Sequence, residues 1–320
     1  MRPSEDIRAR PPMKSIREAY GQALVDLGTR NANIVVLEAD LGKSTRSILF
    51  KEKFPDRYFD VGIAEQNMAS IAAGLALSGK IPFINSFAVF VSGRAFDQIR
   101  GSICIPNAKV RIVGSSCGLS DYPDGKTHQS LEDMAIMRTL PHMAVLCPAD
   151  SVEIRMMMDC LETWEGPAYI RINRNELPVF SSDEEPYHIG KISKLREGDD
   201  VAIFACGTMV SIALDAAELL ALENIQARVL NVSTLKPLDR AAIIRFTSGV
   251  KAIVTAEEHT IFGGLGSSIA EALRAEQHAP LDFVGVEDQF GRSARKYEEL
   301  LNYYGLTADE IAKKARTLLG

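Results

Sequence analysis

Short apolar runs alternate with amphipathic stretches along the chain from Ser15 onward. Runs typical of buried strands lie at 34–37, 58–61, 110–113 and 144–146. Stretches with helical spacing of their apolar residues lie between these runs, at 16–30, 65–78, 92–103 and 151–164. Strands that alternate with helices pair in parallel, and the helices cover both faces of the sheet. The pattern therefore predicts an α/β fold built on a parallel sheet.

A change of composition divides this alternation into two parts. Residues 177–191 contain two prolines and a run of polar side chains, which is typical of a linker between domains. Beyond the linker the alternation resumes, with strand-like runs at 201–204, 227–232, 252–255 and 281–286. We predict a loose lead-in over residues 1–14, a larger α/β domain over 15–185 and a smaller α/β domain over 186–320.

Composition and charge exclude several classes of protein. Lys and Arg number 36 and Asp and Glu number 42, and no block of like charge reaches five residues, so we expect no nucleic-acid partner. No apolar run approaches the roughly 20 residues of a membrane-spanning helix, and residues 1–15 lack the apolar segment of a secretory signal. Five scattered cysteines without a Cys-x-x-Cys pair predict reduced thiols. We therefore expect a cytoplasmic protein that binds neither nucleic acid nor membranes.

Glu65 lies where a strand-like run ends and a helix rich in small residues begins. A carboxylate in the first turn of a helix can simply face the positive end of the helix dipole. The carboxyl end of a parallel strand is also where ligands of open α/β sheets bind, so the alternative is a catalytic or ligand-binding role for Glu65. Similarly, Phe87 and Phe90 are either a pair of core aromatics or a stacking wall for a flat heterocycle. The residues alone leave these alternatives open.

The segment 117–129 is the most unusual part of the chain. Its Pro-Asp-Gly turn places His128 at the predicted start of a helix. Among the five histidines, His128 has the context best suited to acid–base catalysis or to polar contacts with a substrate. The alternative is a solvated loop histidine.

Farther along the chain, Arg171 and Arg174 follow a strand-like run. Each is interpreted either as part of a surface salt bridge or as a phosphate-binding residue.

A glycine-rich segment at 262–268 follows a strand and opens a helix. It lacks the Lys-Ser/Thr ending of a phosphate loop and has no clean Gly-x-Gly-x-x-Gly pattern. We therefore predict tight packing of helix on strand there and assign it no ligand.

Five segments stand out when the chain is taken as a whole: Glu-Ala-Asp-Leu at 38–41, Val-Gly-Ile-Ala-Glu-Gln-Asn at 61–67, Ser-Phe-Ala-Val-Phe at 86–90, Asp-Gly-Lys-Thr-His-Gln at 124–129 and Ala-Glu-Glu-His at 256–259. In this order they resemble the C-terminal part of transketolases, and most closely the stand-alone C-terminal subunit of split, two-chain transketolases. The resemblance extends from Ser15 to the end of the chain. The motifs are shared with deoxyxylulose-phosphate synthases, so they identify the superfamily more firmly than the substrate.

By this resemblance, residues 15–185 form the pyrimidine-binding domain for thiamine diphosphate, and residues 186–320 form the family's C-terminal domain. The resemblance implies that Glu65 and His128 are catalytic, with Glu65 hydrogen-bonding N1′ of the aminopyrimidine. The implied cofactor-binding residues are Glu65, Phe87, Phe90, Asp40, Leu41 and Ile63. The implied substrate-binding residues are Asp124, His128, Arg174, Ser44 and Ser116, with Arg174 and Ser44 holding a phosphate.

Two departures from the family pattern matter. Transketolases bind the diphosphate and Mg²⁺ through a Gly-Asp-Gly motif followed farther on by an asparagine, and no segment of this chain fits that pattern. The resemblance therefore implies half of an active site, with no metal ligand in this chain and with thiamine diphosphate and Mg²⁺ shared with an N-terminal subunit in an α2β2 assembly. In addition, Ser116 stands where transketolases usually have a phosphate-binding histidine, and residues 121–123 and Lys126 depart from the usual loop. An altered phosphate pocket is expected.

The implied function is that of a subunit of a thiamine-diphosphate-dependent ketol transferase, inactive without its partner, that moves a two-carbon unit from a ketose phosphate to an aldose phosphate. One alternative is a transketolase-like subunit for a modified or branched sugar phosphate, and another is an acyloin-forming enzyme like the deoxyxylulose-phosphate synthases. The spacing of Phe87 and Phe90 resembles that of transketolases more than that of the synthases. A non-enzymatic scaffold is disfavoured because the chain keeps Glu65, both phenylalanines, Asp124 and His128.

Overall fold

The computed structural model describes residues 11–184 and 186–320. Residues 1–10 of the predicted lead-in, and Glu185 at the predicted domain boundary, lie outside the described residues. The strands of the first part are β1 (Met13–Ser15), β2 (Ile34–Glu38), β3 (Tyr58–Asp60), β4 (Ile81–Phe87), β5 (Arg111–Ser115), β6 (Ala144–Leu146), β7 (Ala168–Ile172) and β8 (Glu176–Pro178). Its α-helices are α1 (Ile16–Arg30), α2 (Gly42–Thr45), α3 (Ile48–Lys53), α4 (Glu65–Leu77), α5 (Phe96–Gln98), α6 (Asp133–Arg138) and α7 (Ser151–Thr163).

The second part continues the alternation of strands and helices. Its strands are β9 (Ser193–Arg196), β10 (Val201–Ala205), β11 (Ala227–Asn231), β12 (Thr234–Lys236), β13 (Ala252–Thr260) and β14 (Leu281–Val286). Its helices are α8 (Met209–Ala221), α9 (Arg240–Thr247), α10 (Leu265–Leu273), α11 (Tyr297–Tyr303) and α12 (Ala308–Leu319). Within residues 11–184 and 186–320, no helix combines the length and the apolar character needed to cross a membrane.

Two largely parallel sheets organise the chain, which confirms the predicted α/β fold. The first sheet has the order β12-β6-β7-β5-β4-β2-β3 and the second has the order β14-β13-β10-β11-β9. Two edge strands that the sequence did not predict are antiparallel to their neighbours, β12 to β6 and β9 to β11. Because β12 comes from the second part of the chain and completes the first sheet, the two parts share a sheet edge.

Local caps explain where two of the predicted helices begin. Ser15 Oγ accepts a hydrogen bond from the Glu18 N–H at the start of α1. Asp150 Oδ1 accepts hydrogen bonds from the N–H groups of Val152 and Glu153, both at 2.9 Å, at the start of α7. Both helices begin where the sequence predicts, and they pack against each other.

The strands β2, β4, β5 and β7 are buried at every residue, as expected for parallel strands covered on both faces.

Three predicted segments differ in the structure. Met13–Ser15, at the end of the expected lead-in, is a strand because it pairs antiparallel with Glu176–Pro178, which overlaps the start of the expected linker. The predicted helix over 92–103 is interrupted, since π-helical turns at Phe90–Arg94 and Ile99–Cys104 flank a single α-helical turn. Such π-helical turns are found frequently at functional sites.

A buried arginine joins the two parts of the molecule. Arg171 Nε lies 2.9 Å from Oδ2 of Asp133, and both side chains are buried. The Nη2 group of Arg171 also donates to the carbonyl oxygens of Ser130 (3.2 Å) and Glu258 (2.8 Å). Glu258 lies on β13, so this guanidinium connects β7 of the first sheet with β13 of the second. Neither interpretation of Arg171 from the sequence, a surface salt bridge or a phosphate grip, is correct.

The carboxylate of Glu38 fixes the loop that follows β2. Its Oε2 accepts hydrogen bonds from the hydroxyls of Thr45 (2.7 Å) and Ser47 (2.5 Å), and its Oε1 accepts from the Ala39 N–H (3.1 Å). Burial raises the pKa of Glu38 to about 7, although these hydrogen bonds oppose the shift. The loop over 39–47 is therefore held at the carboxyl edge of the first sheet.

Replacing Arg171 with Met should lower the free energy of unfolding by about 3–5 kcal/mol, because the Asp133 carboxylate would remain buried without its counter-ion. The control Arg155→Met removes an exposed arginine that lies 3.2 Å from the exposed Asp183 and should change this free energy by less than about 0.5 kcal/mol. Urea unfolding followed by circular dichroism measures both changes. The double variant Arg171→Met/Asp133→Asn should recover part of the loss. Wild-type stability of Arg171→Met would contradict a junction held by this ion pair.

A raised pKa in the folded protein means that the protonated Glu38 stabilises the fold. This stabilisation is complete below the ordinary value of 4.5 and is lost as the pH rises through about 7. When the pH rises from 5 to 8, the free energy of unfolding of the wild type should therefore fall. It should fall by about 1–3 kcal/mol more than that of the uncharged variant Glu38→Gln. Urea unfolding at the two pH values makes the comparison, and the exposed control Glu52→Gln should follow the wild type. Parallel pH profiles of Glu38→Gln and the wild type would rule out a protonated Glu38.

Candidate active site

Glu65 is the first residue of α4, and its fully buried carboxylate accepts hydrogen bonds from two side chains. Its Oε1 accepts a hydrogen bond from Ser86 Oγ at 2.8 Å, and its Oε2 accepts from Nη1 of Arg94 at 2.7 Å. Ser86 lies on β4 and Arg94 lies in the π-helical turn that follows, so two segments hold the acid. Each carboxylate oxygen keeps a further lone pair. Glu65 can therefore accept an additional hydrogen bond from a ligand.

Two aromatic rings and a histidine stand next to this acid. The rings of Phe87 and Phe90 are nearly parallel, with centroids 6.0 Å apart and an interplanar angle of 14°. The His128 ring meets both edge-on, at 6.1 Å from Phe87 and 5.4 Å from Phe90. The Arg94 guanidinium, which binds Glu65, lies 4.8 Å from the centre of the Phe90 ring. The structure thus brings Glu65, Phe87, Phe90 and His128 together, and these aromatic faces and this acid suit a flat, polar heterocycle.

His128 is half-buried and does not begin a helix. It follows a 3₁₀ turn at Gly125–Thr127, and the next helix starts only at Asp133, so the prediction of a helix start at His128 is wrong. The turn takes this form because the N–H groups of His128 and Gln129 both bind the carbonyl of Gly125. His128 Nδ1 shares a hydrogen bond of 2.9 Å with the hydroxyl of Thr127.

The second part of the chain shapes the loop 116–130 that carries His128. The Leu119 N–H donates to Oε1 of Glu258 at 2.7 Å, and Gln129 Nε2 donates to the Arg292 carbonyl at 3.0 Å. Gly125 has a φ of +76°, and a Cβ at this position would lie 2.4 Å from the hydroxyl oxygen of Ser293. Only glycine fits there easily. The loop is therefore fixed by contacts with residues 258 and 292–293.

Arg174, which follows β7, lies next to two aspartate side chains. Its Nη1 binds Oδ1 of Asp121 and lies 3.9 Å from Oδ2 of Asp124. Asp121 is fully buried, whereas the Asp124 side chain is about half exposed. Burial raises the pKa of Asp121, Arg174 opposes that shift and the Asp124 carboxyl adds to it. Asp124 and Arg174, both predicted to bind substrate, are therefore neighbours.

Ser44 contacts Arg17, a residue that the sequence motifs did not single out. Arg17 Nη1 donates to the Ser44 carbonyl at 2.7 Å, and Arg17 Nε is buried without a hydrogen-bond partner in the described part of the chain. Burial, Arg174 and Arg46 lower the pKa of Arg17, and Asp121 opposes the shift. The charges of Arg46, Asp121 and Arg174 therefore act on the Arg17 guanidinium. The one local signal for Arg17 is its position in the first turn of α1, where the helix dipole disfavours a cation.

Ser116 follows β5 with a φ of +53°, an uncommon conformation for a serine. Its Oγ is buried and has no hydrogen-bond partner within the described residues. Because β5 pairs in parallel with β7, Ser116 and Arg174 lie beyond the carboxyl ends of neighbouring strands. The structure gives no direct contact between these two side chains.

Asp40, Leu41 and Ile63 lie at the same edge of the sheet but more openly. The backbone N–H groups of Asp40 and Gly62 both donate to Oδ1 of Asp60, at 3.2 and 3.1 Å, which joins the loops after β2 and β3. Asp40 is exposed, Leu41 is partly exposed and the Ile63 side chain is 74% exposed. Within residues 11–184 and 186–320, these three side chains make no hydrogen bond or ring contact with the Glu65 cluster.

The glycine-rich loop before α10 is closed by a residue of this chain. Glu257 accepts hydrogen bonds from the N–H groups of Leu265 (2.7 Å) and Gly266 (2.8 Å). Burial raises the pKa of Glu257 to about 7. The backbone donors that a phosphate would use are therefore occupied. Across the described ranges, no group of three or more His, Cys, Asp or Glu side chains is arranged to hold a metal ion.

Two family models match the chain. The model of the transketolase pyrimidine binding domain matches residues 13–179, and the model of the transketolase C-terminal domain matches residues 190–311. The family that the motifs predicted is thereby confirmed.

Relatives and a solved structure agree with these matches. A putative transketolase C-terminal section of Methanocaldococcus jannaschii is 41% identical over 94% of this chain and 95% of its own length. The 6-deoxy-6-sulfo-D-fructose transketolase subunit SqwH of a Clostridium species is 42% identical over 94% of this chain and 93% of its own length. A solved split gene transketolase, described as an inactive beta4 tetramer, is 45% identical with a TM-score of 0.88 and covers 95% of this chain and 98% of its own. The chain therefore belongs to the transketolase family, as a pyrimidine-binding domain followed by a transketolase C-terminal domain.

Proposed function

We propose that this chain is the pyrimidine-domain subunit of a heteromeric ketol transferase that moves a two-carbon unit from a ketose to an aldose. The transketolase family depends on thiamine diphosphate. The observation that carries the proposal is the buried Glu65 carboxylate, held by Ser86 and Arg94 next to the Phe87–Phe90–His128 cluster. An acid with spare acceptor capacity beside the buried ring of Phe87 and the partly exposed ring of Phe90 matches the aminopyrimidine of that cofactor.

Each residue of the cluster has a separate task in this proposal. Glu65 would accept a hydrogen bond from N1′ of the aminopyrimidine, and Phe87 and Phe90 would contact the ring's face. His128 would bind oxygen atoms of the donor sugar, with its orientation fixed by Thr127 and by the two phenylalanines. When bound, thiamine diphosphate supplies the nucleophilic carbon and the electron sink for breaking the carbon–carbon bond of the ketose.

The other end of the substrate would lie against Arg174, Asp124 and Ser44. Asp124 is half exposed next to Arg174 and is available to bind a sugar hydroxyl. The planar guanidinium of Arg174 and that of Arg17 would bind an anionic group on the far carbon of the sugar. Ser116 would be a small, neutral hydrogen-bonding group on the neighbouring strand. We propose that these residues, with His128, form the substrate-binding part of the site.

A second chain is part of the proposal, because the described residues hold no metal-ligating cluster and the sequence has no Gly-Asp-Gly motif. We propose that a partner N-terminal subunit carries the diphosphate and Mg²⁺ site and that the two chains form an α2β2 assembly. Support comes from the exposed face of α4 and the loop before it, where Ile63 (74%) and Leu77 (69%) face solvent and the space beside Gly74 is open. The solved split gene transketolase, described as a beta4 tetramer, is also described as inactive.

The proposal also includes the sugar substrates. Sugar phosphates are the first candidates, and the relative from Clostridium, named for a sulfonated sugar, supports the alternative of a modified substrate. An acyloin-forming reaction like that of the deoxyxylulose-phosphate synthases stays a weaker alternative, because the Phe87–Phe90 spacing resembles that of transketolases.

We also propose a cytoplasmic location. It is supported by five cysteines that form no disulfide, four of them buried.

Replacing Glu65 with Ala should reduce kcat of the assembled enzyme to less than a few per cent of the wild type, because the acid that binds the aminopyrimidine is lost. Glu65→Gln should fail similarly, since an amide keeps the shape but not the charge. Ketose-dependent turnover with thiamine diphosphate and Mg²⁺ measures both variants, and thermal unfolding shows whether they fold. The exposed control Glu52→Ala should keep full activity. A folded Glu65→Ala enzyme with more than a few per cent of the wild-type rate would contradict the assignment.

A further inference from the structure

The guanidinium of Arg174 is bound at one end and free along one edge. Its Nη1 donates a hydrogen bond to Oδ1 of Asp121 and lies 3.9 Å from Oδ2 of Asp124. Within residues 11–184 and 186–320, Nε and Nη2 of Arg174 make no hydrogen bond or ion pair. The side chain is 35% exposed, and neither of these nitrogens is buried. The edge that they form can therefore donate two parallel hydrogen bonds to one anionic group.

Asp121 is a fixed anchor for this arginine. Its carboxylate is fully buried. Its carbonyl accepts hydrogen bonds from the Gly125 N–H and from Gln129 Nε2, each at 3.3 Å. The carbonyl of the next residue, Tyr122, accepts a hydrogen bond of 2.9 Å from the Ala294 N–H. The backbone around the acid is therefore held in place, and with it the position of the carboxylate.

The backbone that carries Arg174 is tied to the same loop. Asn175 donates from Nδ2 to the Ser120 carbonyl at 3.2 Å, and its N–H donates to Oδ1 of Asn173 at 2.7 Å. With the backbone on both sides of Arg174 held, the freedom that remains is the orientation of its long side chain. The contact with Asp121 removes much of that freedom. An arginine that is oriented beforehand loses less conformational entropy when it binds a ligand.

Asp121, and not Asp124, is suited to hold the arginine. The Asp124 side chain is 52% exposed, and its Oδ2 lies beyond hydrogen-bond distance of Nη1. Asp121 is one of the residues 121–123 that depart from the loop usual in transketolases. The anchor of Arg174 is therefore separate from the motifs that identified the family.

We infer that Asp121 is a positioning residue: its carboxylate holds Nη1 of Arg174 and thereby presents the Nε–Nη2 edge to an anionic group on the far carbon of the sugar. The inference rests on the proposed function, because that proposal assigns Arg174 to the far end of the sugar. Asp121 acts through Arg174 and makes no contact with the sugar itself. A phosphate and a sulfonate both offer two oxygens to such an edge, so the inference covers both groups.

A role limited to charge makes the opposite prediction. The acids Asp121 and Asp124 both offset the positive charge of Arg174. If Asp121 contributed only its charge, removing it would strengthen the binding of an anion. If it positions Arg174, removing it weakens that binding, and an uncharged side chain that still accepts the hydrogen bond restores it.

The direct test compares three ketohexoses that differ only at C6, which carries a phosphate, a sulfonate or a hydroxyl group. In the assembled wild-type enzyme, kcat/KM for the better anionic sugar should exceed that for the hydroxyl sugar at least tenfold. Asp121→Ala should lower this ratio at least tenfold, mainly through KM of the anionic sugar. Asp121→Asn should lower it less than threefold, because the amide oxygen can accept the bond from Nη1. The control Asp183→Ala, at an exposed acid paired with Arg155, should leave it unchanged.

Three results of this comparison would overturn the inference. The first is a wild type without a preference for an anionic sugar. The second is an unchanged or raised ratio in Asp121→Ala, and the third is a ratio in Asp121→Asn as low as in Asp121→Ala. Absence of ketol transfer with all three sugars would instead refute the proposed function.

A second comparison asks whether Asp121 acts through Arg174. In the Arg174→Met background, adding Asp121→Ala should change the anionic-to-hydroxyl ratio less than twofold, because the side chain that Asp121 holds is gone. A further tenfold loss in the double variant would show that Asp121 acts independently of Arg174 and would contradict a positioning role.

A binding measurement tests the inference without turnover. Methyl phosphate and methanesulfonate are titrated into the wild-type, Asp121→Ala and Asp121→Asn complexes, and the thermal midpoint is followed. At least one of the two anions should stabilise the wild type and Asp121→Asn at concentrations at least tenfold lower than Asp121→Ala. If Asp121→Ala does not fold, Asp121→Ser takes its place with the same expectation. Equal stabilisation of all the complexes, or none of the wild type, would refute the inference.

Discussion

The buried guanidinium of Arg171 is the contact on which the geometry of the site depends. It neutralises Asp133 in the first part of the chain and binds the main-chain carbonyl of Glu258 in the second. The side chain of Glu258 in turn binds the Leu119 N–H. The loop 116–130 is therefore held between the two sheets, and His128 has its position because both parts of the molecule contact this loop. The second part of the chain thus helps to fix the loop that carries His128.

The side chains of the candidate site share one edge of the first sheet but belong to different strands. Glu65 comes after β3, the phenylalanine pair comes from the end of β4, and Arg174 comes after β7. Ligands of open parallel sheets bind at this edge, because the carboxyl ends of all the strands meet there. Two chemically different groups of side chains result. One contains the buried acid and the aromatic rings, and the other contains Arg174 paired with Asp121.

The sequence predicted the features that depend on local signals. The helices Ile16–Arg30 and Ser151–Thr163 begin where predicted because Ser15 and Asp150 cap them. The motifs also identified Glu65, Phe87, Phe90 and His128, which the fold brings together. The sequence could not predict the pairing of Met13–Ser15 with Glu176–Pro178, because these partners are far apart in the chain.

Other features escaped the sequence because they depend on tertiary contacts. The burial of Arg171 follows from the meeting of two sheets, and no local pattern distinguishes it from the partly exposed Arg174. Ser86 and Arg94 matter only because the fold brings them to Glu65. Arg17 contacts the Ser44 carbonyl from a helix whose pattern indicated only packing. Ile63 is the opposite case, since its motif predicted cofactor contact and the isolated chain leaves it exposed, as half of a shared site would.

The central claim is that this chain contributes half of an active site. The most direct test titrates a fixed amount of the purified chain with the N-terminal subunit that carries the Gly-Asp-Gly motif, at saturating thiamine diphosphate and Mg²⁺, and follows ketose turnover. We predict that neither chain is active alone and that the rate rises to a plateau at one partner per chain. Turnover by this chain in the absence of the partner would contradict the claim.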